Sequence, residues 1–306
     1  MIMNERYKKQ VGLLIRIMPS VYRIKDFAVH GGTAINLFHK NMPRYSIDID
    51  LTYIPIENRE KSLKMINAHL MELKQMIEKT IPDIKVVPKL DMWKLHCSKD
   101  GAIVKIEVNG TKRGLVGSTI DMDLCAKAQS EFQMSCRARI VSFSQLYGGK
   151  IAAALDRQHP RDLFDCKYMP LNALDQTKNG LLYSLIGSSK PIIESLQPNL
   201  INQTEALKNQ FEGMTNVPFS YEDYEATRKE LIEKIDSLFD EEDKEFLISF
   251  EQGFPKWDKS SAGDLSAYPS VRWKLQNILK LKETNPRKHN EGIKELQEYF
   301  LDHFSS

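Results

Sequence analysis

The chain has 306 residues, with 43 Lys and Arg against 41 Asp and Glu for a formal net charge of +2, and with 42% hydrophobic and 27% charged residues. These are the proportions of an ordinary globular protein and not of a disordered or membrane-spanning one, and the length suffices for two domains with cores of their own. A net charge this small names no partner, so any such argument rests on local distribution. The four cysteines, Cys97, Cys125, Cys136 and Cys166, have no C-x-x-C spacing. That speaks for a reduced, cytoplasmic protein over a disulfide framework or a zinc site. The first apolar run, residues 11–18, contains Arg16 and is too short to span a membrane; no small-residue cleavage site follows it, so neither a signal peptide nor a membrane partner is expected.

In chain order, residues 5–22 predict an amphipathic helix with Leu13, Leu14, Ile17 and Val21 on one side. Residues 27–30 read as a short apolar strand that ends at Gly31-Gly32. Residues 33–39 follow as a helix, 41–43 as a loop and 45–54 as a strand. Residues 57–79 place Leu63, Ile66, Leu70, Leu73 and Ile77 at helical spacing. Strand-like pieces then occupy 85–88, 93–97 and 102–109. This order predicts a small α/β domain with a mixed sheet over residues 1–142. From 143 onward the pattern turns helical: 145–158, a helix from 160 to 168, 181–186, 221–238 entered through Ser220 as N-cap, and 241–250. Residues 254–268 are rich in turn formers, and 271–304 read as two helices broken at Asn285-Pro286. No internal repeat or low-complexity run is present. The fold class is α+β, with a helical second domain over residues 143–306.

The chemistry concentrates in Arg44-Tyr45-Ser46-Ile47-Asp48-Ile49-Asp50-Leu51. Alternate residues of a strand share a face, so Ser46, Asp48 and Asp50 line one side and Ile47, Ile49 and Leu51 the other. Adjacent carboxylates repel unless a cation lies between them, and for hard oxygen ligands that cation is Mg²⁺ or Mn²⁺. Gly31-Gly32-Thr33, at a helix start, offers backbone N–H groups to phosphate. The two features together predict a nucleoside-triphosphate and metal site. In Lys105-Ile106-Glu107-Val108, Lys105 and Glu107 share the polar strand face. Glu107 is either a third metal ligand or an edge-strand charge, and Lys105 is placed to balance a carboxylate cluster. Further on, Lys150 and Arg157 lie seven residues apart, on one helix face and suited to a triphosphate. Asp162 and Asp165, in Arg161-Asp162-Leu163-Phe164-Asp165, share another; this set is either catalytic support or an intrahelical ion-pair group. His30 reads as a strand-end core residue and His159 as a loop residue.

These pieces, in this order, resemble the AbiEii/AbiGii toxin family of nucleotidyltransferases in the polymerase-β-like superfamily. The matching motifs are Gly31-Gly32-Thr33-Ala34, Arg44-x-Ser46-x-Asp48-Ile49-Asp50-Leu51, Lys105-x-Glu107, Leu146-x-x-x-Lys150 and Arg161-Asp162-Leu163-Phe164-Asp165. Phe211-Glu212-Gly213-Met214 and Arg272-Trp273-Lys274-Leu275 extend the resemblance into the C-terminal half. The spacer between the glycines and Asp48 is longer than in many members. The resemblance implies a polymerase-β-like first domain, with the helical domain contributing Lys150 and the Arg161–Asp165 motif to the cleft. It implies a toxin of a type IV, AbiE-like toxin–antitoxin or phage-defence system that uses NTP and metal to modify RNA, in some members at the tRNA 3′ end. The usual antitoxin is a winged-helix protein encoded nearby. By the same analogy Asp48 and Asp50 bind metal, Lys150 contacts the triphosphate, and Asp162 or Asp165 completes the site. Gly31, Gly32, Thr33, Ser46 and Arg157 are expected to serve nucleotide binding, and Arg44, Lys105, Arg161 and Asp165 to support it.

The RNA hint in the residues themselves is a basic C-terminal stretch, Arg272, Lys274, Lys280, Lys282, Arg287 and Lys288, with Trp273 among them. An N-terminal group, Arg6, Lys8, Lys9, Arg16, Arg23 and Lys25, has the same character. Cations of this kind supply non-specific affinity for phosphate backbones, although a charge run is more often a solvated helix face. Two other functions compete: a nucleotide-binding regulator without turnover, and a nucleotidyltransferase or kinase acting on a small molecule or a protein.

Overall fold

The computed structural model describes residues 4–170 and 173–302. It forms two compact units. One runs to Ser142 and takes in Glu205–Pro218; the other holds Phe143–Thr204 and the chain from Phe219 onward.

The first unit opens with α1 (Glu5–Arg23), where the Asn4 side chain caps the helix by accepting from the Arg6 amide at 2.8 Å. Val11, Leu14, Ile17, Met18 and Val21 of α1 are buried. There follow β1 (Phe27–His30), α2 (Gly31–Ala34), β2 (Asp48–Tyr53), α3 (Arg59–Thr80), β3 (Lys85–Lys89), β4 (Lys94–Lys99), β5 (Ala102–Val108), β6 (Ile120–Asp123), α4 (Ala126–Phe132) and β7 (Arg137–Ile140). All seven strands form one sheet in the order β3-β4-β5-β2-β1-β7-β6. The sheet is mixed: β2 runs antiparallel to β1 and parallel to β5. Helix α1 packs on β5 and β7, and α3 packs on β3 and α1. The apolar positions read at helical spacing in α3, Ile66, Leu70, Leu73 and Ile77, are all buried. Edge strand β3 carries Lys85, Pro88 and Lys89, which discourage pairing with another chain.

Strands β6 and β7 and helix α4 were not expected from the sequence. In β7 the alternation Arg137-Ala138-Arg139-Ile140 buries Ala138 and Ile140, as a half-buried strand should. Strand β2 starts at Asp48 and not at 45, because the residues before it bond elsewhere. The Tyr45 amide donates to the Met214 carbonyl at 2.7 Å, the Thr215 hydroxyl donates to the Pro43 carbonyl at 2.8 Å, and Arg44 bridges Thr215. Residues 205–218, placed by the sequence in the helical half, therefore fold with the first unit. Their motif Phe211-Glu212-Gly213-Met214 turns at Gly213, which has φ of 79° and a carbonyl that accepts from the Asn4 amide at 3.0 Å.

The second unit is helical: α5 (Phe143–Arg157), α6 (Pro160–Lys167), α7 (Lys178–Ile186), α8 (Ile192–Leu196), the first residue of α9 (Thr204–Gln210), α10 (Tyr221–Lys234), α11 (Glu241–Glu251), α12 (Pro269–Thr284) and α13 (Pro286–Asp302). Helices α5 and α7 touch backbone to backbone, since a Cβ on Gly148 or on Gly180 would collide with the main chain of the other helix. The break expected at Asn285-Pro286 separates α12 from α13; His303 and Phe304, which that expectation included, lie outside the described residues. Ser220 caps α10 through a capping box with Asp223. Among the described residues no helix is long and apolar enough to cross a membrane.

Candidate functional site

In the first unit the chain leaves β1 at His30 and turns through Gly31, whose φ of 68° favours glycine. A side chain there would also collide with the Asp50 carboxylate, so Asp50 lies against the bare backbone of the turn. A Cβ on Gly32 would stand 2.6 Å from an Arg44 guanidinium nitrogen and 3.0 Å from Ser46 Oγ. At Gly31 backbone conformation and close approach both favour glycine, whereas at Gly32 only the Arg44 and Ser46 side chains crowd the position. Helix α2 continues through residues 35–39 with a wider turn, closed by the Lys40 amide donating to the Ile35 carbonyl at 2.8 Å.

Thr33, Arg44 and Ser46 lie beneath this turn and are buried. The Thr33 hydroxyl donates to the Asp48 carbonyl at 2.5 Å and lies 3.0 Å from Ser46 Oγ; Arg44 donates to the Tyr45 carbonyl at 2.9 Å. Ser46 precedes β2, so it does not continue the strand face of Asp48 and Asp50 as expected. Thr33 and Ser46 fasten the turn to the start of β2, and their hydroxyls are directed inward.

Asp48 is half-buried and Asp50 exposed, while Ile49 and Leu51 between and after them are buried. The parallel register opposes Asp48 to Lys105 and Asp50 to Glu107, so all four occupy one face of the sheet. Glu107, however, forms an ion pair with Lys94 of β4 at 3.0 Å, its cross-strand partner. Lys94 was not singled out in the sequence, where Lys105 held that part; cross-strand register is a tertiary property that local spacing does not carry. Among the described residues no group of three or more His, Cys, Asp or Glu side chains is drawn together as a metal centre, which departs from the expected set of Asp48, Asp50 and Glu107. The donors that do stand together, two carboxylates on one strand beside a glycine turn, suit a cation that takes one or two protein carboxylates and completes its shell with substrate phosphates and water.

In the second unit, Gly148 lets α5 approach α7 closely and so fixes the helix from which Lys150 projects. The Lys150 ammonium is only 6% exposed and lies 2.8 Å from Asp162 and 3.1 Å from Asp165. Arg157, on the same face of α5, holds Asp162 with two bonds, 2.5 and 3.0 Å. Burial alone would raise the Asp162 carboxyl, but Lys150 and Arg157 outweigh it and hold the group well below the ordinary carboxylate range. Two cations and two carboxylates sum to zero charge. As a source of positive potential the quartet is therefore weaker than Lys150 and Arg157 taken alone; the Arg157 side chain, 63% exposed, is its solvent-facing member. His159, read as a loop residue, caps α6: its Nδ1 accepts from the Arg161 amide at 3.1 Å. The Arg161 side chain is half-buried.

The basic face of α12 is thinner than the sequence suggests. Lys274 is buried; it donates to the carbonyls of Leu185 at 3.2 Å and Lys190 at 2.6 Å and lies 3.5 Å from Glu251. Burial lowers its pKa. Lys282 donates to the Gln252 carbonyl at 3.2 Å and sits 4.2 Å over the Phe254 ring. Arg272, Trp273 and Lys280 are the exposed members.

The family model described as the nucleotidyl transferase AbiEii toxin of type IV toxin–antitoxin systems matches residues 13–277. Among solved structures, MenT4, a nucleotidyltransferase toxin from Mycobacterium tuberculosis H37Rv, shares the fold with a TM-score of 0.61 at 12% identity, over 89% of this chain and 93% of its own. No curated protein matches the chain in sequence.

Proposed function

Because the chain belongs to the AbiEii family of nucleotidyltransferase toxins of type IV toxin–antitoxin systems, we propose that it transfers NMP from an NTP to an RNA acceptor, the tRNA 3′ end, in a metal-dependent reaction. The observation that carries this reading is the pairing of Asp48 and Asp50 on one strand face with the Gly31-Gly32 turn against Asp50. A 3′ hydroxyl attacks the α-phosphorus and gives its proton to solvent; its new P–O bond forms as the bond from the α-phosphorus to the bridging oxygen of the β-phosphate breaks, and pyrophosphate leaves. Asp48 and Asp50 would hold Mg²⁺ or Mn²⁺, which when bound lowers the pKa of an acceptor hydroxyl and stabilises charge on the leaving group. The backbone N–H groups of the Gly31-Gly32 turn bind triphosphate oxygens, and Thr33, Ser46 and Arg44 keep that turn on β2. Arg157 presents its exposed edge to phosphate while Asp162 holds it, and Lys150 and Asp165 complete the buried charge set around Asp162. Glu107, paired with Lys94, sets the polar character of the face beside Asp50.

Arg272 and Lys280, with Trp273 between them, offer cations and one stacking surface to RNA. The antitoxin partner that the family implies is a winged-helix protein encoded nearby, and the protein acts in the cytoplasm, there serving phage defence. The test is incubation of the purified chain with total tRNA, Mg²⁺ and each α-labelled NTP in turn. Label is expected in tRNA, with one nucleotide preferred. Label from γ-labelled NTP instead would make the protein a kinase, and no incorporation by folded protein with any acceptor RNA would favour the regulator without turnover.

A further inference from the structure

Gln158 stands at the joint between the two helices that carry the buried quartet. It follows Arg157, which grips Asp162, and precedes His159, which caps α6. Its φ is 49°, a left-handed conformation that side-chain-bearing residues seldom adopt. Glycine would relieve that backbone at once; the chain instead places a long amide there and buries it to 1% exposure. Each of its polar atoms is engaged. The main-chain N–H donates to the Ala154 carbonyl at 3.1 Å, and the main-chain carbonyl accepts from the Tyr224 hydroxyl at 2.8 Å. Side-chain Oε1 accepts from the Ile201 amide at 3.0 Å and from Arg228 at 2.8 Å, and Nε2 donates to the Asn199 carbonyl at 2.7 Å. Arg228 is itself buried and lies 5.2 Å over the Tyr224 ring. A parallel stitch from the same loop, Gln203 Nε2 to the Arg157 carbonyl at 3.0 Å, fixes the neighbouring peptide.

The angle between α5 and α6 decides whether Lys150 and Arg157 reach Asp162 and Asp165, and a joint of two residues sets that angle. One of the two is tied through its carbonyl and both side-chain polar atoms to α10 and to residues 199–201. We propose that Gln158 is a positioning residue: it locks the joint so that the quartet keeps its geometry and Arg157 presents a fixed guanidinium. This deepens the reading of the quartet as part of the transfer machinery and rests on that reading for its kinetic consequence.

The experiment uses the full chain and two readouts, nucleotide transfer and the side-chain ¹⁵N resonance of Lys150, assigned with Lys150→Arg. In Gln158→Ala, kcat is expected to fall about tenfold or more with the KM for NTP changed by less than about twofold, because misplacement of held groups costs rate before it costs binding. The Lys150 resonance is expected to move toward that of solvated lysines while the circular dichroism spectrum is retained. Gln158→Glu keeps the length and the acceptor for Arg228 but turns the donor to the Asn199 carbonyl into a second acceptor, so it is expected to lower kcat as Gln158→Ala does. Should Gln158→Ala not fold, Gln158→Asn, which tolerates the left-handed backbone but shortens the amide, carries the same expectations. A folded variant with unchanged kcat and an unshifted Lys150 resonance overturns the inference. Wild-type transfer by Lys150→Met would instead remove the catalytic reading of the quartet; the resonance would still decide the positioning role, a shift upholding it and no shift overturning it.

Discussion

Asp48 and Asp50 lie on a strand face that solvent reaches, Asp50 against the bare backbone of a glycine turn, whereas Lys150, Asp162 and Asp165 are buried almost completely and, with Arg157, balance one another's charge. Both are clusters of acids and bases from family motifs, yet their energetics are opposite. The strand pair sets two like charges on one face, a cost that a bound cation would offset. The helical quartet is a closed set in which each charge offsets the desolvation of another, so removing one strands the rest. Motif residues of the first kind can be altered to read chemistry; those of the second kind alter chemistry and fold together.

That contrast can be broken by measurement. Lys150→Met leaves Asp162 and Asp165 buried without their ammonium and should cost about 3–5 kcal/mol in denaturant unfolding; a variant as stable as wild type would show that the quartet is less closed than its burial implies. Gly31→Ala adds a side chain both to a left-handed backbone and to the space of the Asp50 carboxylate, and should cost about 1–2 kcal/mol and most of the transfer activity. The sign of the acid response follows from the depressed Asp162 carboxyl. Its contribution is complete above the unfolded-state value of about 4 and is lost as pH falls toward the folded value. Asp162→Asn should therefore flatten the loss of stability below about pH 4, measured by melting across pH. The smallest effect is expected on α12: Arg272→Ala and Lys280→Ala should each lower the salt-dependence slope of tRNA binding by about 1, and Lys274→Ala should act on stability instead.

Much of the strand half of the site is legible in the sequence because its logic is local. Two acids at alternate positions and a glycine pair at a strand end read directly from spacing, and the seven-residue interval predicted that Lys150 and Arg157 share a face. What the spacing does not carry is pairing across distance. Lys94 reaches Glu107 only through the β4–β5 register, and residues 205–218 return to the first unit by bonds to Pro43 and Tyr45. Lys274 looked like its basic neighbours until the burial of one side of α12 separated it from Arg272 and Lys280. Strands β6 and β7 escaped because each is four residues long and carries charges at alternate positions, a pattern shared with loops. Gln158 gave no signal at all, since glutamine neither marks a turn nor suggests a left-handed backbone.

The most direct test pairs two readouts on Asp48→Asn in the full chain: transfer of label from α-labelled NTP to tRNA, and stability. The expected result is transfer reduced at least about a hundredfold with stability within about 0.5 kcal/mol of wild type. Wild-type transfer by the folded Asp48→Asn variant would contradict the assignment of the chemistry to the exposed carboxylate pair.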